Sequence, residues 1–200
     1  MLEMLRQFLN QLAVSFDLPV LDWIQANLQS PLMDTVMPII TMFGDDGIFW
    51  IAWAVLLLVF PKTRKTGLGM GFALLMGLVV CNLTLKPLVG RIRPYDLQWE
   101  LFGKEIALLT GRMHDFSFPS GHTIASFEAA TVLLKNSKKM GIPAMILAVL
   151  IAFSRLYLYV HYPTDVIFSI FAGIAIAFLG DWLAGKVMKK FPGKKGRFEA

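Results

Sequence analysis

Of 200 residues, 56% are hydrophobic and only 16% charged, and the mean hydropathy of +0.61 leaves too little polar surface to keep a soluble domain wet. Each bilayer crossing uses roughly 20 residues, so the chain reads as one integral membrane domain with room for about five or six crossings. The net charge of +5 does not point to nucleic acid, because the basic residues fall in short runs between apolar segments, where they act as topology signals and contacts for membrane lipids.

Residues 1–45 carry no strong crossing. Leu2, Leu5, Leu9, Leu12 and Ala13 recur at helical spacing against a polar face, which predicts an interfacial helix. This segment lacks a basic n-region and a small-residue cleavage site, so no cleaved signal is expected. From Leu18 to Phe43, Asp22, Pro31, Asp34 and Pro38 interrupt the apolar run, leaving either one broken span or an interfacial pair.

Residues 46–190 read as the helical bundle proper. Gly44 to Gly47 form a turn, with Asp46 placed to cap the helix that runs from Ile48 to Phe60. Leu68 to Leu85 crosses back, with Gly67, Gly69, Gly71 and Gly77 as small contact residues. Residues 86–119 read as a polar loop. His122 to Leu134, Ile142 to about Tyr159, and Pro163 to about Met188 supply the remaining crossings, and 191–200 is a basic tail. The expected fold is therefore an all-α polytopic transmembrane bundle with five clear spans, a possible sixth near the N-terminus and an N-terminal interfacial helix. Cys81 is the only cysteine and lies in an apolar run, which excludes an internal disulfide and a thiolate metal cluster.

Sorting the loops onto two sides gives the orientation. One side collects twelve Lys and Arg, in the runs 62–65, 135–139 and 186–197, and the other collects six, among them Lys86, Arg91, Arg93 and Arg155. The richer side is expected to be cytoplasmic, which puts the C-terminus inside the cell and the 86–119 loop outside the cytoplasmic membrane.

Three clusters share that outer face. Lys86, Arg91 and Arg93 follow the 68–85 helix, where basic residues serve either as interfacial anchors or as an anion site. Phe118-Pro119-Ser120-Gly121-His122 reads as a helix mouth: Pro119 keeps Phe118 out of helical geometry, Ser120 is an N-cap, and Gly121 lets an anion approach free N–H groups. The third runs from Ser154 to Asp165. Arg155 there needs an anion or a carboxylate to be tolerated in an apolar helix. Asp165 can take the Nδ1 proton of His161 and leave Nε2 as a lone-pair nucleophile, or it can be a simple N-terminal cap. Together, two imidazoles, one carboxylate and three cations at one face match the needs of phosphoryl transfer.

These residues carry a resemblance. Lys86 through Arg93-Pro94, Pro119-Ser120-Gly121-His122, and Ser154-Arg155 through His161 and Asp165 stand in the order and spacing of K-x6-R-P, P-S-G-H and S-R-x5-H-x3-D. The chain thus resembles the type 2 phosphatidic acid phosphatase, or lipid phosphate phosphatase, superfamily, and the likeness covers roughly residues 68–183. It implies His161 as a nucleophile that becomes phosphohistidine, oriented by Asp165, with His122 protonating the leaving oxygen. Lys86, Arg93, Arg155, Ser120 and the Gly121 backbone would bind phosphoryl oxygens, with neither metal nor cofactor implied.

Arg91 and Arg112 are candidates for a second phosphate of a pyrophosphate, His114 for a solvated loop residue, and Tyr157, Tyr159 and Tyr162 for an interfacial aromatic belt. The activity expected is hydrolysis of a lipid phosphate or pyrophosphate, of the undecaprenyl pyrophosphate, phosphatidylglycerol phosphate or phosphatidic acid class. A phosphotransferase on the same residues and a non-enzymatic lipid-phosphate or anion transporter are the alternatives.

Overall fold

The computed structural model describes residues 2–190, so the expected basic tail lies outside the described residues. These residues are helical throughout their main elements: α1 (Leu2–Leu12), α2 (Leu18–Leu28), α3 (Pro31–Met42), α4 (Ile48–Val59), α5 (Arg64–Gly77), α6 (Lys86–Val89), α7 (Pro94–Phe102), α8 (Gly121–Asn136), α9 (Lys138–Tyr157) and α10 (Pro163–Lys190). Short π-helical stretches at Ala13–Asp17 and Leu78–Leu85 join α1 to α2 and α5 to α6.

Among the described residues, four stretches are long and apolar enough to cross a membrane: Pro31–Val59, Arg64–Phe102, Lys138–Tyr157 and Pro163–Lys190. Val59, Leu83, Ile146, Val149, Phe171 and Phe178 stand exposed on them, an outward apolar surface suited to lipid. The helix predicted at 122–134 is α8, which at 16 residues is too short to be among the four and which faces protein. Thr123 and every residue from Ser126 to Leu133 are buried, so its composition answers to α5, α9 and α10 rather than to lipid. Close approach is what makes this packing possible. A Cβ on Gly180 would lie 2.7 Å from the Gly69 carbonyl oxygen, so α10 and α5 can meet only with glycine there.

Polar ties fix the two ends of the bundle. At the end away from the site, Asp181 of α10 accepts from Lys65 and Lys135 at 2.8 Å each and from Asn136 at 2.9 Å, joining α5, α8 and α10. Nearer the site, the Trp50 indole donates to Ser126 Oγ at 3.0 Å and holds α4 against α8.

One open stretch is located and two sequence expectations are corrected. Residues 18–43 divide into two helices, α2 and α3. α2 packs with the outer cluster around Tyr157–Tyr162, while α3 runs from Asp34, which accepts from Tyr157, past Thr41, which accepts from Arg155, and on into the α4 stretch. Asp46 does not cap α4, because it and Gly47 both adopt left-handed backbone, φ 49° and 67°, and turn the chain between α3 and α4. The 86–119 loop contains α7, which begins with Pro94 at its first turn after Arg93 in extended geometry. Tyr95, Leu97 and Gln98 bury one face of that helix over the outer cluster, a short amphipathic pattern hidden among charges.

Candidate active site

Phe118-Pro119, joined by a cis peptide bond, delivers the chain to Ser120, whose Oγ accepts from the Thr123 N–H and starts α8 as a capped helix. Gly121 and His122 therefore stand at the helix entrance. α5 and its π-helical extension bring Lys86, the stretch before α7 brings Arg93, the last turn of α9 brings Arg155, and the turn into α10 brings His161. All six of these residues line one cavity of about 650 Å³. Residues up to 75 positions apart in the chain are thus collected at one place, as their spacing predicts.

His161 is the centre of the arrangement. Its side chain is 1% exposed, and Arg93 Nη1 lies 3.1 Å from Nε2. A guanidinium can only donate, so Nε2 carries the lone pair and the ring proton sits on Nδ1. Asp165 Oδ2 is 3.6 Å from Nδ1, close enough to attract that proton but too long for a hydrogen bond. Burial holds the imidazole well below its ordinary pKa, and Arg93, Arg155 and Lys86 push the same way.

Asp165 lies behind His161, away from the cavity, and is itself held from three directions. Ser117 Oγ donates to Oδ2 at 2.5 Å, the Tyr162 N–H donates to the same oxygen at 3.2 Å, and Arg91 donates to Oδ1. Arg91 also reaches Asp17 at 2.7 Å and covers the Tyr162 ring with its guanidinium carbon 3.7 Å from the ring centre. Asp17 completes the ring of contacts by accepting from Thr164 N–H at 2.9 Å and Thr164 Oγ1 at 2.7 Å.

The cations differ in what they hold. Lys86 Nζ and Arg93 Nη2 both donate to Asp115, each at 2.5 Å, and Arg93 Nε donates to the Asp115 carbonyl at 3.1 Å. Burial alone would raise the Asp115 carboxyl, but the Lys86 hydrogen bond and the Arg93 charge bring it down to about 2. Arg155 is 1% exposed and makes no salt bridge among the described residues: Nη1 donates to Thr41 Oγ1 at 2.6 Å and Nε has no partner there. His122 Nε2 lies 2.7 Å from Asp45 Oδ1 at the cavity rim.

Several expectations change here. Ser120 is fully buried, its N–H donates to Ser169 at 2.9 Å and its Oγ is 2.9 Å from Thr123 Oγ1, so it builds the helix mouth and does not line the cavity. Arg91 is locked between two carboxylates rather than open to a second phosphate. Arg112 pairs with Asp96 at 3.2 Å on the surface, and His114 is exposed as expected. Tyr157, Tyr159 and Tyr162 are core residues with at most 1% exposure, not a belt. Asp45 is a partner of His122 rather than only a turn residue. Asp17, Thr41, Asp45 and Asp115 went unassigned, although Asp17 is a lone carboxylate in an apolar segment, which was the available signal.

Residues 66–189 match the PAP2 superfamily. The chain is 33% identical over 167 residues to an undecaprenyl-diphosphatase of Sulfolobus acidocaldarius, covering 83% of this chain and 77% of that one. In structure it resembles LpxE of Aquifex aeolicus, with a TM-score of 0.71 and 25% identity over 83% of this chain and 94% of that one. It also resembles a transmembrane PAP2-type phosphatidylglycerolphosphate phosphatase of Bacillus subtilis, with a TM-score of 0.68 and 27% identity over 99% and 97% of the two chains.

Proposed function

Because the chain belongs to the PAP2 superfamily and is a membrane phosphatase of that family, we propose that it hydrolyses a lipid phosphate or pyrophosphate at the outer face of the cytoplasmic membrane through a phosphohistidine on His161. The observation that carries this reading is Arg155, a guanidinium buried in an apolar bundle that makes no salt bridge to a carboxylate among the described residues and leaves Nε unpaired. A charge in that position is tolerated when an anion visits it, and the cavity it faces also holds Lys86, Arg93 and the lone pair of His161.

In the reaction, phosphoryl oxygens take the donors of Lys86, Arg93, Arg155 and the Gly121 N–H. Arg93 turns its Nη1 donor from Nε2 to the phosphate, which frees the lone pair. Nε2 attacks phosphorus, the bond to the lipid oxygen breaks with its electron pair on that oxygen, and His122 supplies the proton. With Nε2 of His122 occupied by Asp45, the proton comes from Nδ1. Water then attacks the phosphoenzyme, its proton passes to His122, and the P–N electron pair returns to His161. Asp165 and the Arg91–Asp17 pair behind it keep the His161 ring proton on Nδ1 throughout.

The relatives named above act on an undecaprenyl diphosphate and on phosphatidylglycerol phosphate, which supports a lipid phosphate or pyrophosphate as substrate here. The basic runs at the other end of the bundle support a cytoplasmic C-terminus, and residues 1–200 then form a single membrane domain. The test is phosphate release from undecaprenyl pyrophosphate, phosphatidylglycerol phosphate and phosphatidic acid by purified protein in detergent with a chelator present. Release from at least one, abolished in His161→Ala, is expected. Full turnover by that variant would overturn the nucleophile assignment.

A further inference from the structure

The helical stretch that carries Lys86 sorts the cavity into a polar end and an apolar arm. Lys86 stands at the phosphate end, Leu78, Leu74 and Gly71 line the arm between α4 and α5, and Asn82 comes between them, about one turn further in than Lys86. The Asn82 amide lies against the mouth of α8: a Cβ on Gly121 would fall 3.1 Å from Oδ1 and 3.2 Å from Nδ2, so glycine at 121 is what admits it. No hydrogen bond among the described residues ties that amide to the bundle, and Oδ1 is buried without a partner, so the side chain does not serve the fold as a hydrogen-bonding group. A polar group left unpaired inside a membrane protein is costly, and a substrate that takes its NH2 donor offsets part of that cost.

The register of a bound lipid follows from that lining. With its outer phosphorus held by Lys86, Arg93 and Arg155 beside His161 and its hydrocarbon in the arm, the lipid passes Asn82 with the first atoms on the leaving side of the attacked phosphorus. The Glu128 carboxyl, packed against Gly77 further in, offers a phosphate no cation, so the charged part of the substrate ends at Asn82. We propose that Asn82 binds the inner phosphate of a lipid pyrophosphate and makes the protein prefer pyrophosphates to monophosphates of the same lipid. This rests on the phosphatase reading and adds the substrate class. His161 Nε2 attacks the outer phosphorus, the bond to the bridging oxygen breaks with its electron pair on that oxygen, and the lipid monophosphate departs with the proton from His122. The negative charge that gathers on the departing phosphate meets the Asn82 N–H in a charge-assisted hydrogen bond. A monophosphate presents there only a single bridging oxygen, which His122 protonates, followed by carbon.

Farnesyl pyrophosphate and farnesyl phosphate share one tail and differ by one phosphate. Asn82→Leu should lower kcat/KM for the pyrophosphate about tenfold while changing the monophosphate by less than about twofold, the difference expected for one hydrogen bond to a charged group. Asn82→Asp, which keeps the shape and turns a carboxylate toward the phosphate, should also cost the pyrophosphate more than the monophosphate, and it decides the matter if the leucine variant does not fold. An equal loss on both lipids, or none on either, would show that Asn82 only packs on Gly121 and would overturn the subsite while leaving the phosphatase reading intact. If the wild-type protein hydrolyses neither lipid, its affinities for the two in detergent decide the matter apart from the phosphatase reading. A preference for the pyrophosphate that Asn82→Leu reduces about tenfold sustains the subsite, and a preference left unchanged sinks it.

Discussion

Arg93 Nη1 stands 3.1 Å from His161 Nε2, so the side chain proposed to bind phosphate also marks which nitrogen of the imidazole holds the lone pair. With burial and three cations keeping the ring neutral, the proposed nucleophile is ready at neutral pH without a general base beside it. The acid limb of kcat/KM should therefore lie below the ordinary imidazole value of about 6.5. Arg93→Leu, which removes a repelling charge, should move that limb upward as well as lowering kcat/KM. A limb at the ordinary value in both proteins would contradict the assignment. The same depression affects stability: below about pH 6.5 the unfolded chain binds a proton that the folded His161 refuses, so stability should fall as pH drops through that range.

Asp115 pairs with Lys86 and Arg93, the two cations proposed to bind phosphoryl oxygens, and so stands as a competitor for them. Asp115→Asn should bind inorganic phosphate about three- to tenfold more tightly, because a charged competitor is replaced by a neutral one. Inhibition constants for phosphate at fixed ionic strength check this. Weaker inhibition would show that Asp115 positions the cations rather than competing for them.

His122 is proposed to supply the proton for the leaving oxygen, and the 2.7 Å contact with Asp45 holds its ring at the cavity rim. His122→Ala should slow an alkyl lipid phosphate by about 100-fold or more while an activated aryl phosphate loses far less. Asp45→Asn should show the same pattern, more weakly. Equal losses on both substrates would mean that His122 only binds.

Arg91 touches no part of the cavity, yet it is clamped between Asp17 and Asp165 with all three side chains at most 1% exposed. Arg91→Ala leaves two buried carboxylates facing each other, which should destabilise the protein by about 3–5 kcal/mol. Thermal unfolding in detergent reads this directly, and a change within measurement error would show that the pair is dispensable. Asp17→Asn should recover part of the loss in the double variant, since it removes one of the orphaned charges.

How much of this was legible beforehand follows from the kind of signal each part leaves. Lys86, Arg93, His122, Arg155 and His161 could be read because charged and imidazole groups at apolar helix ends are expensive and sit at telling intervals. The roles of Ser120 and Arg91 could not, because a cap and a ligand, or a free and a paired guanidinium, look alike until their partners are placed. Asp17, Thr41 and Asp45 lie far upstream and join the site only through the contacts of Asp17 with Arg91 and Thr164, the packing of α3 against α9 and the turn beside α8. For the fold, apolar length located the lipid-facing helices, whereas α7 and the α3–α4 continuity depend on burial against protein. Periodicity over nine or twelve residues broken by Pro or Asp does not resolve that.

The most direct measurement is rapid acid-free quenching of the protein with a radiolabelled lipid phosphate, followed by mapping of the bound label. Label on the peptide containing His161, stable to base, lost in acid and absent from His161→Ala, is the predicted result. Turnover with no label on His161, or with label on His122 or another side chain, would contradict the account.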